Sequence, residues 1–206
     1  MTDNVIIIPT RLEALRLPNK PLKKINNKEM ILHVYEAAKK ANIGDVIVAS
    51  PNQQIFELIT SVKGICVKTK PDHQTGTDRI FEVYETFLKK KPKIIINLQG
   101  DMPNIDPSNI QMLSSKQFNE AIDFFRKNEN TKKRYIYHHI GIYAFTKEAL
   151  LRYVSLDRTK NELDRNLEQL RALDNNMKIH VGYTPSPPLS IDTEEDLKNI
   201  QELMKK

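Results

Sequence analysis

The sequence predicts an α/β fold with a mostly parallel central sheet flanked by helices, and three observations lead there. Short runs at 5–8, 45–49, 65–68 and 93–98 are rich in β-branched residues and lack the polar alternation of a half-exposed strand. Segments with helical spacing separate them, and capping or turn residues mark the joints. In such sheets ligands sit outside the carboxyl ends of the strands, so the loops after these runs are where chemistry is sought.

Each element has its own signal. Residues 5–8 are a buried strand that ends at Pro9. Met30, Ile31, Val34, Ala37, Ala38 and Ala41 share one face of a helix over 29–41. After the strand at 45–49, Ser50 and Pro51 read as an N-cap and first-turn pair, opening a helix to about residue 62 that Gly64 ends. The strand at 65–68 is followed by a helix over about 78–88 and the strand at 93–98. Asp106 and Pro107 open a short helix, and 118–126 suits either helix or strand. A strand over 135–145, interrupted by Gly141, precedes helices at about 146–153 and 161–173 and a strand at 178–183. Thr193 with Asp196 forms a capping box for the last helix. Pro185, Pro187 and Pro188 make a rigid connection rather than a domain linker, and neither repeats nor low-complexity tracts occur.

Composition narrows the class. A chain of 206 residues that is 39% hydrophobic and 28% charged suits one soluble domain. No apolar run approaches the ~18 residues of a membrane span. The first residues lack a signal-peptide pattern, and the single cysteine, Cys66, suits a reducing cytoplasm. Cys66 itself reads as a small apolar strand residue. The net charge of +6 raises nucleic acid as a partner, but the lysines are scattered at helix ends, where they complement helix dipoles, and no nucleic-acid motif accompanies them. A small anionic substrate fits the charge equally well.

Four loops carry the candidate chemistry. The loop from Pro9 to Leu22 presents Arg11, Arg16 and Lys20, with Pro18 and Pro21 restricting Lys20. Such cations can cradle phosphates, although a basic surface loop has the same composition. The second loop, from Asp72 to Arg79, combines Gln74, Gly76 and Thr77 before a helix, so its backbone can approach a base or ribose, or simply cap the helix. His73, within it, reads as structural or solvated. The third places Gln99, Gly100 and Asp101 beyond a buried strand, and the fourth is Ser190-Ile191-Asp192. Two aspartates from separate loops are what Mg²⁺ commonly takes from protein, while Asp192 alone reads equally as a turn or capping carboxylate.

Taken together, the motifs resemble those of the 3-deoxy-manno-octulosonate (KDO) cytidylyltransferases. They are Arg-Leu-Pro-Asn-Lys-Pro-Leu, Asp-His-Gln-Thr-Gly-Thr-Asp-Arg, Gln-Gly-Asp, His-Ile-Gly-Ile-Tyr, Leu-Glu-Gln-Leu-Arg and Ile-Asp-Thr-Glu-Glu-Asp-Leu, in that order between about residues 5 and 203. The resemblance implies a Rossmann-like nucleotidyltransferase fold in a single domain. Its nucleotide-binding part is 1–113, its reduced substrate and dimerisation part 114–190, and its metal loop and last helix 191–206. It implies transfer of CMP from CTP to KDO with release of pyrophosphate, for lipopolysaccharide synthesis, by a cytoplasmic homodimer that engages neither membrane nor nucleic acid. By it, Arg11, Arg16 and Lys20 hold the triphosphate, and Gln74, Gly76, Thr77 and Arg79 surround the cytidine. Asp101 and Asp192 hold Mg²⁺, and Gln99 lies between nucleotide and sugar. Arg126, His139, Tyr143, Glu168 and Gln169 match the sugar-acid pocket. Catalysis would fall to Lys20, Arg11, Asp101 and Asp192 through positioning and charge stabilisation.

The chain departs from that pattern in three places. Ala14 and Leu15 stand where the family has small hydroxyl residues, Met102 stands where it has an acid, and several dozen family residues between about 110 and 121 are missing. A shortened, weakly active or inactive nucleotide-binding homologue, or a transferase for a related sugar acid, therefore remain alternatives.

Overall fold

The computed structural model describes residues 3–13, 16–114, 119–125 and 137–205. Ala14, Leu15 and Arg126 lie outside them, as does part of the strand expected at 135–145. The elements are β1 (Asn4–Pro9), β2 (Lys24–Ile25), β3 (Lys28–Glu29), α1 (Met30–Ala41), β4 (Asp45–Ser50), α2 (Gln53–Ser61), β5 (Ile65–Lys68), α3 (Gly76–Thr86) and β6 (Ile94–Leu98). They continue with α4 (Pro107–Gln111), β7 (Asn119–Glu120), β8 (Ile142–Thr146), α5 (Lys147–Val154), α6 (Lys160–Arg165), α7 (Leu170–Asp174), β9 (His180–Val181) and α8 (Glu194–Leu203). The main sheet has the order β5-β4-β1-β6-β8. Its first four strands are parallel, and β8 closes the edge antiparallel to β6. The expected α/β architecture with a mostly parallel sheet is the one found.

β1 lies between β4 and β6, and helices cover both faces of the sheet there, which accounts for its unbroken apolar run. Ile6 and Ile8 pack with α1, α2 and α4, while Val5 and Ile7 turn the other way onto α3 and α5. A separate small core holds Leu17, Ile25, Met30, Ile191, Leu197 and Ile200. It seats α8 against the β2–β3 hairpin and the loop after β1. Among the described residues, no helix is long and apolar enough to cross a membrane. Cys66 pairs with Val48 inside the sheet, and burial pushes its thiol up to about 12.

Several boundaries differ from the sequence reading, each for a physical reason. Ser50 belongs to β4, pairing with Lys68, and Asn52 occupies the N-cap position of α2. The end of α2 is made by Lys63, whose φ of 58° is left-handed, and not by a left-handed glycine. Gly64 is required by space instead, since a Cβ there would lie 2.7 Å from Ile59 Cγ2 and 2.9 Å from the Ile59 carbonyl oxygen. The helix expected from residue 78 begins at Gly76, because Thr75 is its N-cap and Asp78 completes a capping box. The strand expected over 135–145 is confined to Ile142–Thr146, and Ile142 N–H bonds the Ile140 carbonyl across Gly141 at 2.8 Å, a three-residue turn that ends the ladder. The helix expected over 161–173 is two helices, divided where Asn166 takes φ 51°. The strand expected at 178–183 shrinks to two residues paired with β7.

Gly64→Ala is expected to destabilise the fold by about 1–3 kcal/mol, the cost of overpacking against backbone. Urea denaturation checks it; an unchanged midpoint would show that the α2 end relaxes freely.

Candidate active site

The ends of β1 and β6 open into a cleft of about 570 Å³. Its near wall is the loop after β1, which Asn52 fixes: Leu12 N–H donates to Asn52 Oδ1 at 3.1 Å, and Asn52 Nδ2 donates to Glu13 at 2.9 Å. Farther along, Leu17 is buried in the small core and Asn19 turns with φ 56°. Lys20 then enters a single 3-10 turn, Lys20–Leu22, whose Pro21 is buried. The two prolines thus hold Lys20 much as their spacing suggests. Arg11 and Arg16 are exposed at the rim, and both line the cleft with Lys20.

Asp101 and Asp192, far apart in sequence, meet here. Ile191, buried in the small core, donates its N–H to the Asp101 carbonyl at 3.0 Å, which brings Asp192 alongside. Asp192 N–H is in turn held by Asp196 Oδ2 at 3.0 Å, inside the Thr193 capping box. Lys20 Nζ donates to Asp101 Oδ2 at 3.0 Å and to Asp192 Oδ1 at 3.1 Å. Arg16 Nη2 reaches Asp192 Oδ2 at 2.9 Å. Two carboxylate oxygens therefore already converge on one cationic centre. A hard divalent cation fits such a donor set, with substrate phosphate and water supplying its other oxygens. Among the described residues no group of three or more His, Cys, Asp or Glu side chains is arranged for a metal, so further ligands would have to come from the substrate side. Met102, at the position where the resemblance has an acid, is buried in the main core.

The far wall is the loop before α3. Gln74, Gly76 and Arg79 line the cleft, and Thr77 does not. Thr77 is buried behind the wall, its hydroxyl accepting from Asn97 Nδ2 at 3.1 Å. Arg79 borders the cleft, yet its guanidinium is buried and donates to Thr69 Oγ1 at 2.5 Å and to the carbonyls of Lys70 and Pro71 at 2.8 and 3.4 Å. It ties down the loop after β5, and burial, with Arg11 nearby, lowers its pKa from the ordinary value. His73 donates to or accepts from Glu82 at 2.5 Å, a structural contact. Burial pushes the Glu82 carboxyl up, but the His73 bond and the Lys70 N–H together hold it below its ordinary value.

Gln99 occupies the floor between two glycines. A Cβ on Gly76 would lie 2.9 Å from Gln99 Nε2, and one on Gly141 would lie 2.9 Å from Gln99 Cγ. Behind it Asn97, fully buried, accepts from Gln99 Nε2 at 3.2 Å while donating to Thr77. Asn97 lies within β6, and an amide inside an apolar strand implies buried partners.

Beyond Gln99 lies a second cluster. His139 sits between Phe124 and Tyr143, with ring centroids 5.2 and 5.5 Å away. Burial, then Glu168, Tyr153 and Asp101, drive the Tyr143 phenol well above its usual range. Glu168 Oε2 accepts the Thr77 N–H at 3.3 Å, which ties this cluster to the far wall of the cleft. Gln169 is buried, and its Nε2 has no hydrogen-bond partner among the described residues. His139, Tyr143, Glu168 and Gln169 are thus gathered near one another and adjoin, rather than line, the cleft of the basic loop.

Comparisons with known proteins bear on the family and the fold. A cytidylyltransferase family model matches residues 5–124. The 3-deoxy-manno-octulosonate cytidylyltransferase of Rhizobium etli (strain CIAT 652) is 35% identical over 241 aligned positions, covering 99% of this chain and 96% of that protein. The enzyme of the same name from Bartonella henselae is 34% identical, covering 98% of each. An alignment of 241 positions against 206 residues contains gaps in this chain, in keeping with its shortened middle segment. Among solved structures, that of CMP:2-keto-3-deoxy-manno-octonic acid synthetase complexed with CTP superposes with a TM-score of 0.85 at 29% identity, covering 98% of both chains. A 4-diphosphocytidyl-2C-methyl-D-erythritol synthase from Anaerococcus prevotii shares the fold at 14% identity with a TM-score of 0.66.

The environment of Glu168 makes a pH-dependent prediction. Burial raises its carboxyl above the ordinary 4.5, overcoming the lowering pull of the Thr77 N–H and the threonine hydroxyls. A folded carboxyl that keeps its proton to higher pH stabilises fully below the unfolded value and loses that contribution as pH climbs through the folded value. Glu168→Gln, permanently neutral, is therefore expected to unfold at higher urea than the parent at pH 7. The gain should shrink as pH falls toward 4.5; equal midpoints at neutral pH would contradict the burial argument.

Proposed function

The chain belongs to the 3-deoxy-manno-octulosonate cytidylyltransferase family, and from that premise we propose that it moves CMP from CTP to the anomeric hydroxyl of KDO, releasing pyrophosphate. The observation that carries the reading is Lys20 bridging Asp101 and Asp192 at the mouth of a cleft rimmed by Arg11 and Arg16. The relative solved with CTP supports nucleotide binding in the same fold. The chain would act as a cytoplasmic homodimer supplying lipopolysaccharide synthesis. Exposed apolar residues of the second half, Ile122, Tyr137 and Tyr183, support a subunit contact there.

In the mechanism this implies, the sugar hydroxyl oxygen attacks the α-phosphorus as the bond to the bridging oxygen breaks; pyrophosphate departs with the electron pair and the hydroxyl proton is released to solvent. Negative charge grows on the departing group, so fixed cations nearby lower the barrier. Arg11 and Arg16 grip phosphate oxygens at the rim, with guanidinium geometry suited to paired contacts. Lys20, at the centre, neutralises the triphosphate and its leaving end. Gln74 and the backbone at Gly76 face the base and ribose, while Thr77 and Arg79 support that wall from behind. Gln99, wedged by its glycines, separates nucleotide from sugar. His139, Tyr143, Glu168 and Gln169 orient the sugar acid, the unsatisfied Gln169 amide being available to a ligand oxygen. Asp101 and Asp192 would hold Mg²⁺, which when bound supplies charge neutralisation of the phosphates.

Protein incubated with CTP, Mg²⁺ and KDO should release pyrophosphate; no release at high enzyme concentration would favour a homologue that binds nucleotide without turnover. Lys20→Ala is expected to lower kcat/KM by roughly 2–4 kcal/mol of transition-state stabilisation, read from steady-state kinetics. A change confined to KM would reassign Lys20 to ground-state binding.

Asp101→Asn should keep the fold yet lose both Mg²⁺-dependent turnover and the heat of Mg²⁺ binding in the presence of CTP. Chelation of divalent cations should silence the parent protein in the same assay. Unaltered metal binding in the variant would remove Asp101 from the ligand set.

A further inference from the structure

We infer that Arg171 is a positioning residue that locks the 168–171 segment onto the N-terminus of α3, so that the sugar side and the nucleotide side of the site behave as one rigid body. The inference rests on the proposed function for which side binds what. Its geometry stands apart from that reading. Arg171 is nearly buried, and its Nε and Nη2 donate to the two oxygens of the fully buried Glu162 at 2.8 and 2.7 Å. Arg158 Nε reaches the same carboxylate at 2.9 Å. The remaining arm of Arg171, Nη1, lies 3.5 Å from Asp78 Oδ1.

Asp78 is not a bystander. Its other oxygen, Oδ2, accepts from the Thr75 N–H at 3.1 Å and the Thr75 hydroxyl at 2.8 Å, forming the capping box that shapes the wall of the cleft. A second line runs beside the first. The Arg171 guanidinium lies over the Tyr153 ring, 4.6 Å from its centroid, and the Tyr153 hydroxyl donates to the Glu168 carbonyl at 2.8 Å. The Glu168 carboxylate returns to α3 by accepting the Thr77 N–H at 3.3 Å. Segments 168–171 and 75–78 are therefore cross-tied at two points, and Arg171 serves both.

A merely cohesive role would not require this arrangement. Buried ion pairs are often replaceable by apolar side chains without loss of stability, so holding α6 to α7 does not by itself account for an arginine. What apolar packing cannot do is bind Glu162 with two donors and keep a third aimed at the cap of α3. Charge balance points the same way: Asp78, Glu162 and Glu168 would leave three carboxylates crowded here, and the two arginines hold Glu162 below its ordinary value although burial pushes it up.

Asp78→Asn tests the link without vacating the Glu162 pair. Asparagine keeps an oxygen for the Thr75 cap but sets an amide against Arg171. The expected result is a fall in kcat/KM for KDO of about 10- to 100-fold, the scale of a small misplacement in a positioned site. The Kd for CTP by calorimetry and the unfolding midpoint should stay near the parent values. Backbone amides of 167–172 should exchange with deuterium faster in the variant, a readout independent of the substrate's identity. Arg171→Lys should lose kcat/KM for KDO to at least the same extent, with a lowered unfolding midpoint of its own because lysine gives up the paired contact with Glu162. The double variant should lose little more kcat/KM than Arg171→Lys alone, as members of one link do. Parent protein without turnover would count against the proposed function, while the exchange measurement would still judge the link. Unchanged sugar kinetics and unchanged exchange in Asp78→Asn would overturn the inference. So would a uniform loss of both substrates together with a lowered unfolding midpoint, which would mark the network as purely structural.

Discussion

One backbone hydrogen bond, from Ile191 N–H to the Asp101 carbonyl, joins the loop after β6 to a segment close to the end of the chain. Without it Asp192 has no reason to stand beside Asp101, since the two are separated by the whole second half of the fold. The bond is backed by packing: Ile191 lies in the same small core as Leu17 from the Lys20 loop and Leu197 and Ile200 from α8. Two sequence-distant pieces, the Lys20 loop and the end of the chain, thus share one hydrophobic seat beside the polar site. The carboxylate pair is held together by apolar contact and a main-chain bond, and its mutual repulsion is offset by Lys20 and Arg16.

The same division recurs across the cleft. Residues that face the opening rest on a buried polar layer behind them: Asn97 on Thr77 and Gln99, Arg79 on loop carbonyls, Arg171 on Glu162 and Asp78. Buried polar groups are tolerated only when partnered, so each of these contacts fixes a geometry rather than adding bulk. Two groups among the described residues break the pattern, the Tyr84 hydroxyl in the core and the Gln169 amide nitrogen beside Glu168, each buried without a hydrogen-bond partner. An unsatisfied donor of that kind costs stability in the free protein.

Most of the first half was legible in the sequence because its signals are local. A β-branched run between helices is a buried parallel strand, and Thr193 with Asp196 is a capping box wherever the chain leads. The order β5-β4-β1-β6-β8 and the antiparallel edge are set by packing between distant segments and carry no such local mark. Boundaries were missed where a single residue took a left-handed backbone, at Lys63 and Asn166, a choice dictated by the direction in which the chain must leave the helix. The candidate site was legible as a set of loops, and Lys20, Asp101 and Asp192 came together. The burial of the Thr77 and Arg79 side chains was not legible, because a loop residue's side chain can turn inward as easily as outward. Arg171 and Glu162 were invisible as partners, since a buried ion pair between neighbouring helices looks like two ordinary surface charges.

The shortening of this chain relative to its relatives falls on a fold whose site is assembled from strand ends and from the last helix. Both walls of the cleft, its floor and the carboxylate pair are contributed by residues 9–20, 72–79, 97–101 and 191–192, all outside the region between helix α4 and β8. Of the second cluster, His139 lies in that region and meets Phe124 there, while Tyr143, Glu168 and Gln169 come from β8 and the segment before α7. Its principal anchors are Tyr153, Thr77 and the Arg171 network, which belong to elements on the main sheet or packed against it. A shorter segment between α4 and β8 is therefore compatible with holding Glu168 and Arg171 against the loop before α3, because the tie between them runs through α3, α5 and α7.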